Sequence, residues 1–306
     1  MVSMAQSSVN PPARAMPELP EVETVKLGLA PAMEGHRFTK VVTRRGDLRV
    51  PFPPHFAERL TGRKIERLWR RAKYLLAKLD DGETLVIHLG MSGRMSVYAE
   101  GKERKLGQYV YEQAPANAGQ GKHDHVVMET DAPARIVFTD HRRFGLMTLI
   151  DTARLDEDKL FKGLGIEPLS KEFDSAYLNR VLKGKRTPIK SALLDQRVIA
   201  GLGNIYVCEA LFRAGISPKR SASTVPGKRS PALVREIKAV LADAIKAGGS
   251  SLRDYAGVDG ALGEFQHRFA VYDREGEPCS WKSCKGTVRR IVQAGRSTFY
   301  CPKCQH

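Results

Sequence analysis

Residues 70–94 read RRAKYLLAKLDDGETLVIHLGMSGR, and this stretch decides how the first half of the chain folds. Two short apolar runs, KYLLAKL (73–79) and TLVIHL (84–89), flank the polar, glycine-bearing DDGE (80–83). Such a break between short apolar runs is a hairpin signal. Outward from it, residues 41–150 keep the same texture. ARIVFTD (134–140) and GLMTLI (145–150) flank HRRF (141–144) in the same manner. Upstream the texture changes. From Pro20 the spacing predicts a helix: proline at its start, Glu21 and Glu23 in the first turn, and Val22, Val25, Leu29 and Met33 on one face. Residues 99–122 read as a long, mobile connection bearing Gly, Ala and Gln.

Downstream, FKGLGIEP (161–168) reads as a linker, and four helical segments follow it. The clearest is PALVREIKAVLADAIKAGG (231–249), with Leu233, Ile237, Val240, Leu241 and Ile245 on one face. From Val271 the chain returns to short strands with cysteines at both ends. The expected class is α+β: an N-terminal β-sandwich with flanking helices over residues 16–160, the linker 161–168, a helical domain over 169–268, and a small C-terminal unit over 269–306.

Fifty Lys and Arg stand against 34 Asp and Glu in 306 residues, a formal charge of +16. That excess favours a polyanionic partner, with affinity that falls in salt. No apolar run reaches membrane-span length. Residues 1–15, MVSMAQSSVNPPARA, have neither the basic nor the apolar region of a signal peptide. They read as a disordered tail or an over-extended gene start in front of MPELPEVETV (16–25).

Cys279 and Cys284 form one close pair and Cys301 and Cys304 another, with 16 residues between the pairs. Each pair can bring two thiolates to one tetrahedral ion, and zinc is the metal that four thiolates select. Four protein ligands leave no open position, so the expected role is structural. The intervening segment carries Lys285, Arg289, Arg290 and Arg296, a composition suited to phosphate or base contacts. The fifth cysteine, Cys208, shares an apolar helix face with Ile205, Leu211 and Phe212 and is expected in the core.

GLGNIY (201–206) is a glycine turn running into a helix, where backbone amides suit a phosphate and Asn204 adds a donor. An ordinary helix junction is the plainer reading. Met91 in HLGMSGR and Phe144 in DHRRFG lie where strands end. Both are core residues on the plain reading. On the functional one they wedge into a base stack while Arg142 replaces a displaced base. His123 and His125 in KHDH alternate on one strand and point the same way, a phosphate-facing rather than metal-binding arrangement. Lys73, taken alone, reads as a solvated charge.

In combination, MPELPEVET, RRAKYLL, HLGMSG, KHDH, DHRRFG, GLGNIY, DGALGEF and RSTFYCPKC resemble the bacterial formamidopyrimidine-DNA glycosylase family, in that family's order and from residue 16 to the end. The resemblance implies a helix–two-turn–helix domain between the β-sandwich and a zinc-finger β-hairpin, with double-stranded DNA in the cleft between the halves. It implies a monomeric, cytoplasmic bacterial enzyme that excises oxidised purines and then cleaves the abasic site, with one structural zinc as its cofactor. It assigns the nucleophile to the α-amine of Pro17, general acid–base work to Glu18, and elimination and phosphate contact to Lys73 and Arg296. His123, Arg142, Asn204 and Lys185, or Lys185's neighbour Arg186, match DNA contacts; Met91, Arg142 and Phe144 match the void-filling trio. The largest departure is that Pro17 is internal here, so its nitrogen is a tertiary amide that cannot form an iminium, and two motifs depart as well. The first cysteine pair is C-x4-C where many members have C-x2-C, and GALGEF differs from the usual damaged-base loop. The sister branch that acts on oxidised pyrimidines and a catalytically silent DNA-binding protein are the alternatives.

Overall fold

The computed structural model describes residues 16–106, 109–250, 258 and 263–306. Residues 1–15 and most of DGALGEF lie outside the described residues.

The predicted helix is α1, Leu19–Met33. Val22, Val25, Leu29 and Met33 are all buried on its inner face. Strands β1 (Phe38–Thr43), β2 (Ile65–Arg71), β3 (Tyr74–Leu79), β4 (Glu83–His88) and β5 (Arg94–Ala99) follow, with the short helix α2 (Phe56–Leu60) between the first two. The DDGE hairpin is present: β3 pairs antiparallel with β4, Leu75 opposite Ile87. Residues 99–122 are not wholly irregular. They hold a small hairpin, β6 (Arg104–Leu106) with β7 (Tyr109–Tyr111). Its buried Tyr111 reaches back to α1, the hydroxyl donating to the Gly28 carbonyl at 2.6 Å. An aromatic anchor in a polar segment is invisible to periodicity, because one residue makes no pattern.

With β8 (Asp124–Thr130), β9 (Ala134–Thr139) and β10 (Leu146–Asp151) the strands make two four-stranded sheets, ordered β1-β8-β9-β5 and β10-β4-β3-β2. This is the sandwich the sequence implies, closed over a core of α1 and inward-facing strand residues such as Phe38, Leu75, Ile87 and Phe138. The topology has one consequence for the site. β4 and β5 lie in different sheets, as do β9 and β10, so both HLGMSGR and DHRRFG are crossings between sheets. They cross at the same end, since Leu146 pairs with His88 and Arg94 with Thr139.

The second half packs α3 (Ser175–Leu182), α4 (Ile189–Leu194), α5 (Asn204–Arg213) and α6 (Ser230–Lys246) around one core, with Cys208 inside it as expected. Among the described residues, the stretch after Val271 has only two strands, β11 (Arg289–Gln293) and β12 (Arg296–Tyr300), forming one antiparallel hairpin. Val288, Phe299 and Cys301 of this unit share the helical core. The fully buried Glu209 of α5 joins the two parts: its carboxylate accepts the N–H groups of Ala270, Val271 and Tyr272 at 2.9, 3.0 and 2.8 Å. Burial pushes its carboxyl upward and these bonds hold it down.

Candidate active site

The two halves meet where α1 begins. Pro17 is buried just ahead of the helix, and Glu18 caps it with only 3% of its surface exposed. The Glu18 N–H donates to Glu21 Oε2 at 3.0 Å. Its side chain crosses to the other half, where Oε1 accepts the Ile205 N–H at the start of α5, at 2.9 Å. The second oxygen, Oε2, is buried without a partner. The anion seated on the Ile205 amide is therefore a carboxylate of the chain itself. A glycine at 203 makes the seat possible: a Cβ there would stand 2.2 Å from the Glu18 carboxyl carbon.

Burial pushes the Glu18 carboxyl up to about 7; nearby Lys73 opposes that and Glu21 adds to it. Both protonation states are then accessible near neutrality, which is what a group that gives and later takes a proton needs. The same shift has a stability consequence. Between the ordinary carboxylate range and pH 7, the folded chain holds a proton the unfolded chain has released, so stability falls as pH rises through that window. Glu18→Gln removes this loss while keeping an acceptor for Ile205. We expect the variant to gain roughly 2–3 kcal/mol on the parent between pH 5 and pH 8, read from urea midpoints.

Lys73 is buried, not solvated. It sits in the β2–β3 turn next to Ala72, which has a left-handed φ of 52°. Glu167, beyond the sandwich, clamps the turn: it accepts the Ala72 N–H at 2.6 Å and pairs with Arg70 and Arg71 at 2.8 and 3.0 Å. Burial pushes the Lys73 ammonium downward, Arg296 pushes the same way, and Glu18 and Glu21 hold it up. Arg296, exposed at the start of β12, thus acts on the same centre. Asn204 opens α5, its Nδ2 donating to the Ser297 carbonyl at 3.0 Å.

Pro17–Glu18, Lys73, Asn204 and Arg296, from four distant segments of the chain, share one neighbourhood. Lys185 is half-buried ahead of α4, where its charge acts on Asp195.

Sequence reasoning missed several residues here. Lys190 is fully buried, its ammonium donating to the Ser297 carbonyl at 2.9 Å and Thr298 Oγ1 at 2.7 Å, and so ties α4 to the hairpin. Glu21 Oε1 accepts from the Tyr206 hydroxyl at 2.5 Å and from the N–H and hydroxyl of Ser250 at 2.9 and 2.8 Å. In the sequence Glu21 is one more first-turn acid; nothing local shows that it faces inward.

The two crossings stand together at the sandwich end. Phe144 is 45% exposed, so the core reading fails for it; Met91 is half-buried. The Arg142 guanidinium lies 4.7 Å from the centre of the Phe144 ring. Gly90 touches the backbone of the other loop: a Cβ there would be 2.4 Å from the Phe144 carbonyl carbon. His88 braces the Met91 loop, its Nδ1 accepting the Gly90 N–H at 3.0 Å. Burial and then the Lys73 charge hold its imidazole down to about 4, so the ring is neutral at physiological pH. The His123 and His125 rings lie 6.4 Å apart beside a β-bulge, and His125 is committed to the Asp140 carbonyl at 2.8 Å.

Cys279, Cys284, Cys301 and Cys304 place their sulfurs within 4.8 Å of one another, with Cys279–Cys304 and Cys284–Cys301 both at 3.7 Å. Four thiolates around zinc at ~2.3 Å stand about 3.8 Å apart in a tetrahedron, so this donor set fits one structural zinc. The longer first knuckle accommodates Trp281, which packs on Phe212 of α5 at 5.4 Å. Chelating the metal, or Cys301→Ser, is expected to lower the thermal midpoint by about 5 °C or more and to weaken DNA binding, because the hairpin shares the helical core. Differential scanning fluorimetry with and without added zinc checks this.

Family models match the whole of this arrangement: a formamidopyrimidine-DNA glycosylase N-terminal domain over residues 16–147, the H2TH domain of the same enzymes over 164–256, and a zinc finger found in FPG and IleRS over 276–306. The chain belongs to the formamidopyrimidine-DNA glycosylase family. Curated members from Ruegeria pomeroyi and Beijerinckia indica are 59% and 57% identical over 290 and 296 residues, covering 95% of this chain and 100% of each relative. Among solved structures, the Lactococcus lactis family protein bound to abasic-site DNA superposes with a TM-score of 0.79 at 32% identity, covering 95% of this chain and all of that one. The Thermus thermophilus protein gives 0.78 at 39%, covering 94% and 98%. The family's three parts correspond to the sandwich, the helical domain and the zinc hairpin described above. No helix among the described residues is long and apolar enough to cross a membrane.

Proposed function

We propose that this protein is a monomeric DNA glycosylase and abasic-site lyase of base-excision repair, acting on oxidised purines in duplex DNA in the bacterial cytoplasm. What carries this reading is the buried Glu18, next in the chain to the buried Pro17 and acted on by the charge of the buried Lys73, at the seam between the two halves.

In this reading the Pro17 nitrogen bonds to the deoxyribose C1′ as the C1′–base bond breaks, and the departing base takes up a proton. The amine proton is then lost and the C1′–O4′ bond breaks, O4′ taking a proton from Glu18, and the C1′ iminium so formed acidifies the C2′ hydrogens. Loss of one expels the 3′ phosphate, and a second elimination expels the 5′ phosphate. Glu18 gives and receives protons at the sugar. Lys73 and Arg296 hold the phosphates and assist their departure, each lowering the barrier by opposing developing negative charge. Met91, Arg142 and Phe144 occupy the space the base leaves. His123, Asn204 and Lys185 or Arg186 contact the backbone, which orients the duplex without reading its sequence.

The test is competition between duplexes carrying 8-oxoguanine and thymine glycol. Faster excision of the purine is expected; the reverse order would move the protein to the oxidised-pyrimidine branch. A second reading rests on the peptide bond that joins Met16 to Pro17. A chain that keeps this bond has no free amine at Pro17 and would bind damaged DNA without cutting it.

A further inference from the structure

We propose that Asp140 is a positioning residue that locks the Met91 loop and the Arg142–Phe144 loop into a single body, so that both sides of the insert enter the base stack together. The proposal rests on the reading above that these side chains fill the void.

Asp140 is fully buried and can touch no DNA. Its Oδ1 accepts the Ser92 hydroxyl from the first loop at 2.5 Å and the Arg142 N–H from the second at 3.2 Å. Its Oδ2 accepts the Gly145 N–H at 2.8 Å. The Ser92 oxygen also accepts the Arg142 N–H at 3.2 Å, closing a ring of bonds across the two loops. The Asp140 backbone is fixed in turn, donating to the His123 carbonyl at 2.9 Å and accepting from His125 Nε2 at 2.8 Å. The clamp thus hangs from the sandwich rather than from either loop.

Three donors converge on one carboxylate, and only a carboxylate can receive all of them. Loops that lie on sheet crossings have no strand partners to hold their spacing. An insert must also push against stacked bases, and a loop that yields under that load would not open the stack. Arg143 has a left-handed φ of 57°, which gives the second loop the tight bend that carries Arg142 and Phe144.

Asp140→Asn keeps the shape but turns one acceptor into a donor. Whichever way the amide lies, at least one N–H or O–H then faces another donor. Ser92→Ala removes its bond to Asp140 and its share of the Arg142 N–H but leaves Asp140 its two backbone partners, so it should act in the same direction more weakly. The experiment uses chains that begin at Pro17 and a duplex carrying 8-oxoguanine next to 2-aminopurine. Stopped-flow fluorescence of the 2-aminopurine reports opening of the stack; excision and cleavage of a preformed abasic site are followed in parallel. Asp140→Asn is expected to slow opening and excision together by about 10- to 100-fold. Cleavage at the abasic site, where no base has to be withdrawn, should stay within about threefold. The thermal midpoint is measured for every variant.

Phe144→Ala separates the two ideas. If it slows opening and neither Asp140→Asn nor Ser92→Ala does, the clamp is wrong and the insert stands. If Phe144→Ala has no effect on opening, the insertion reading falls and the clamp with it. Equal loss in all three assays with a lowered thermal midpoint, in both Asp140→Asn and Ser92→Ala, would make Asp140 a folding residue only.

Discussion

Mixed with abasic-site duplex and sodium borohydride, a chain whose first residue is Pro17 is expected to become covalently attached to the DNA, and the 306-residue chain is expected to stay free. The difference should be all or none. A free α-amine has a pKa of about 7.7–8.0, so part of it is unprotonated and nucleophilic near neutrality. In a peptide bond the same nitrogen shares its lone pair with the carbonyl and cannot form an iminium. Residues 1–15 need not block the cleft to abolish the reaction; the Met16–Pro17 amide is enough. Intact mass of the protein–DNA adduct is the readout. An adduct from the full chain would show that a different nucleophile does the work.

Gly203→Ala carries the second large effect. Gly203 has φ −130° and ψ −166°, extended backbone that alanine adopts without strain. The added methyl carbon would nonetheless lie 2.2 Å from the Glu18 carboxyl carbon. Overpacking of this kind costs about 1–3 kcal/mol of stability. The larger loss should be in chemistry, because Glu18 has to leave the Ile205 amide and its buried seat. A drop of about 10²–10⁴-fold in glycosylase rate is expected, the contribution a positioned acid–base group makes. Glu18→Gln should fall to a similar floor, and the double variant should fall no further than the worse single. Independent, multiplying losses would mean that Gly203 acts on something other than Glu18. Single-turnover excision rates decide it.

Much of this was legible in the sequence because it is written in local patterns. The DDGE hairpin, the α1 face of Val22, Val25, Leu29 and Met33, and the paired cysteines each repeat at a spacing that a fold imposes. The family resemblance supplied Glu18 and Lys73; composition alone left Lys73 a solvated charge. What stayed hidden depends on contacts between distant segments. Ile205 receives Glu18 across 187 residues, and Lys190 reaches Ser297 across 107. Neither pairing leaves a periodic trace. The 99–122 segment misled for a related reason: its order rests on Tyr111 and the Gly28 carbonyl, 83 residues away. HRRF and HLGMSG mark strand ends in the sequence, but only the sheet order shows that both are crossings at one end.

The grip of Glu209 on residues 270–272 bears on how such proteins can be recombined. One short helix, α5, seats the Glu18 carboxylate at its first turn and holds the approach to the zinc hairpin in its middle. The hairpin is therefore not a detachable module. A graft of residues 279–304 leaves the three amides on Glu209 in place, whereas one taken from Ala270 holds its register only if the donor's chain presents three amides to the same carboxylate. The workable cut lies between Tyr272 and Gly276, and on this geometry chimaeras joined there should keep the influence of Arg296 on Lys73, while those joined before Ala270 should do so only with matching amides.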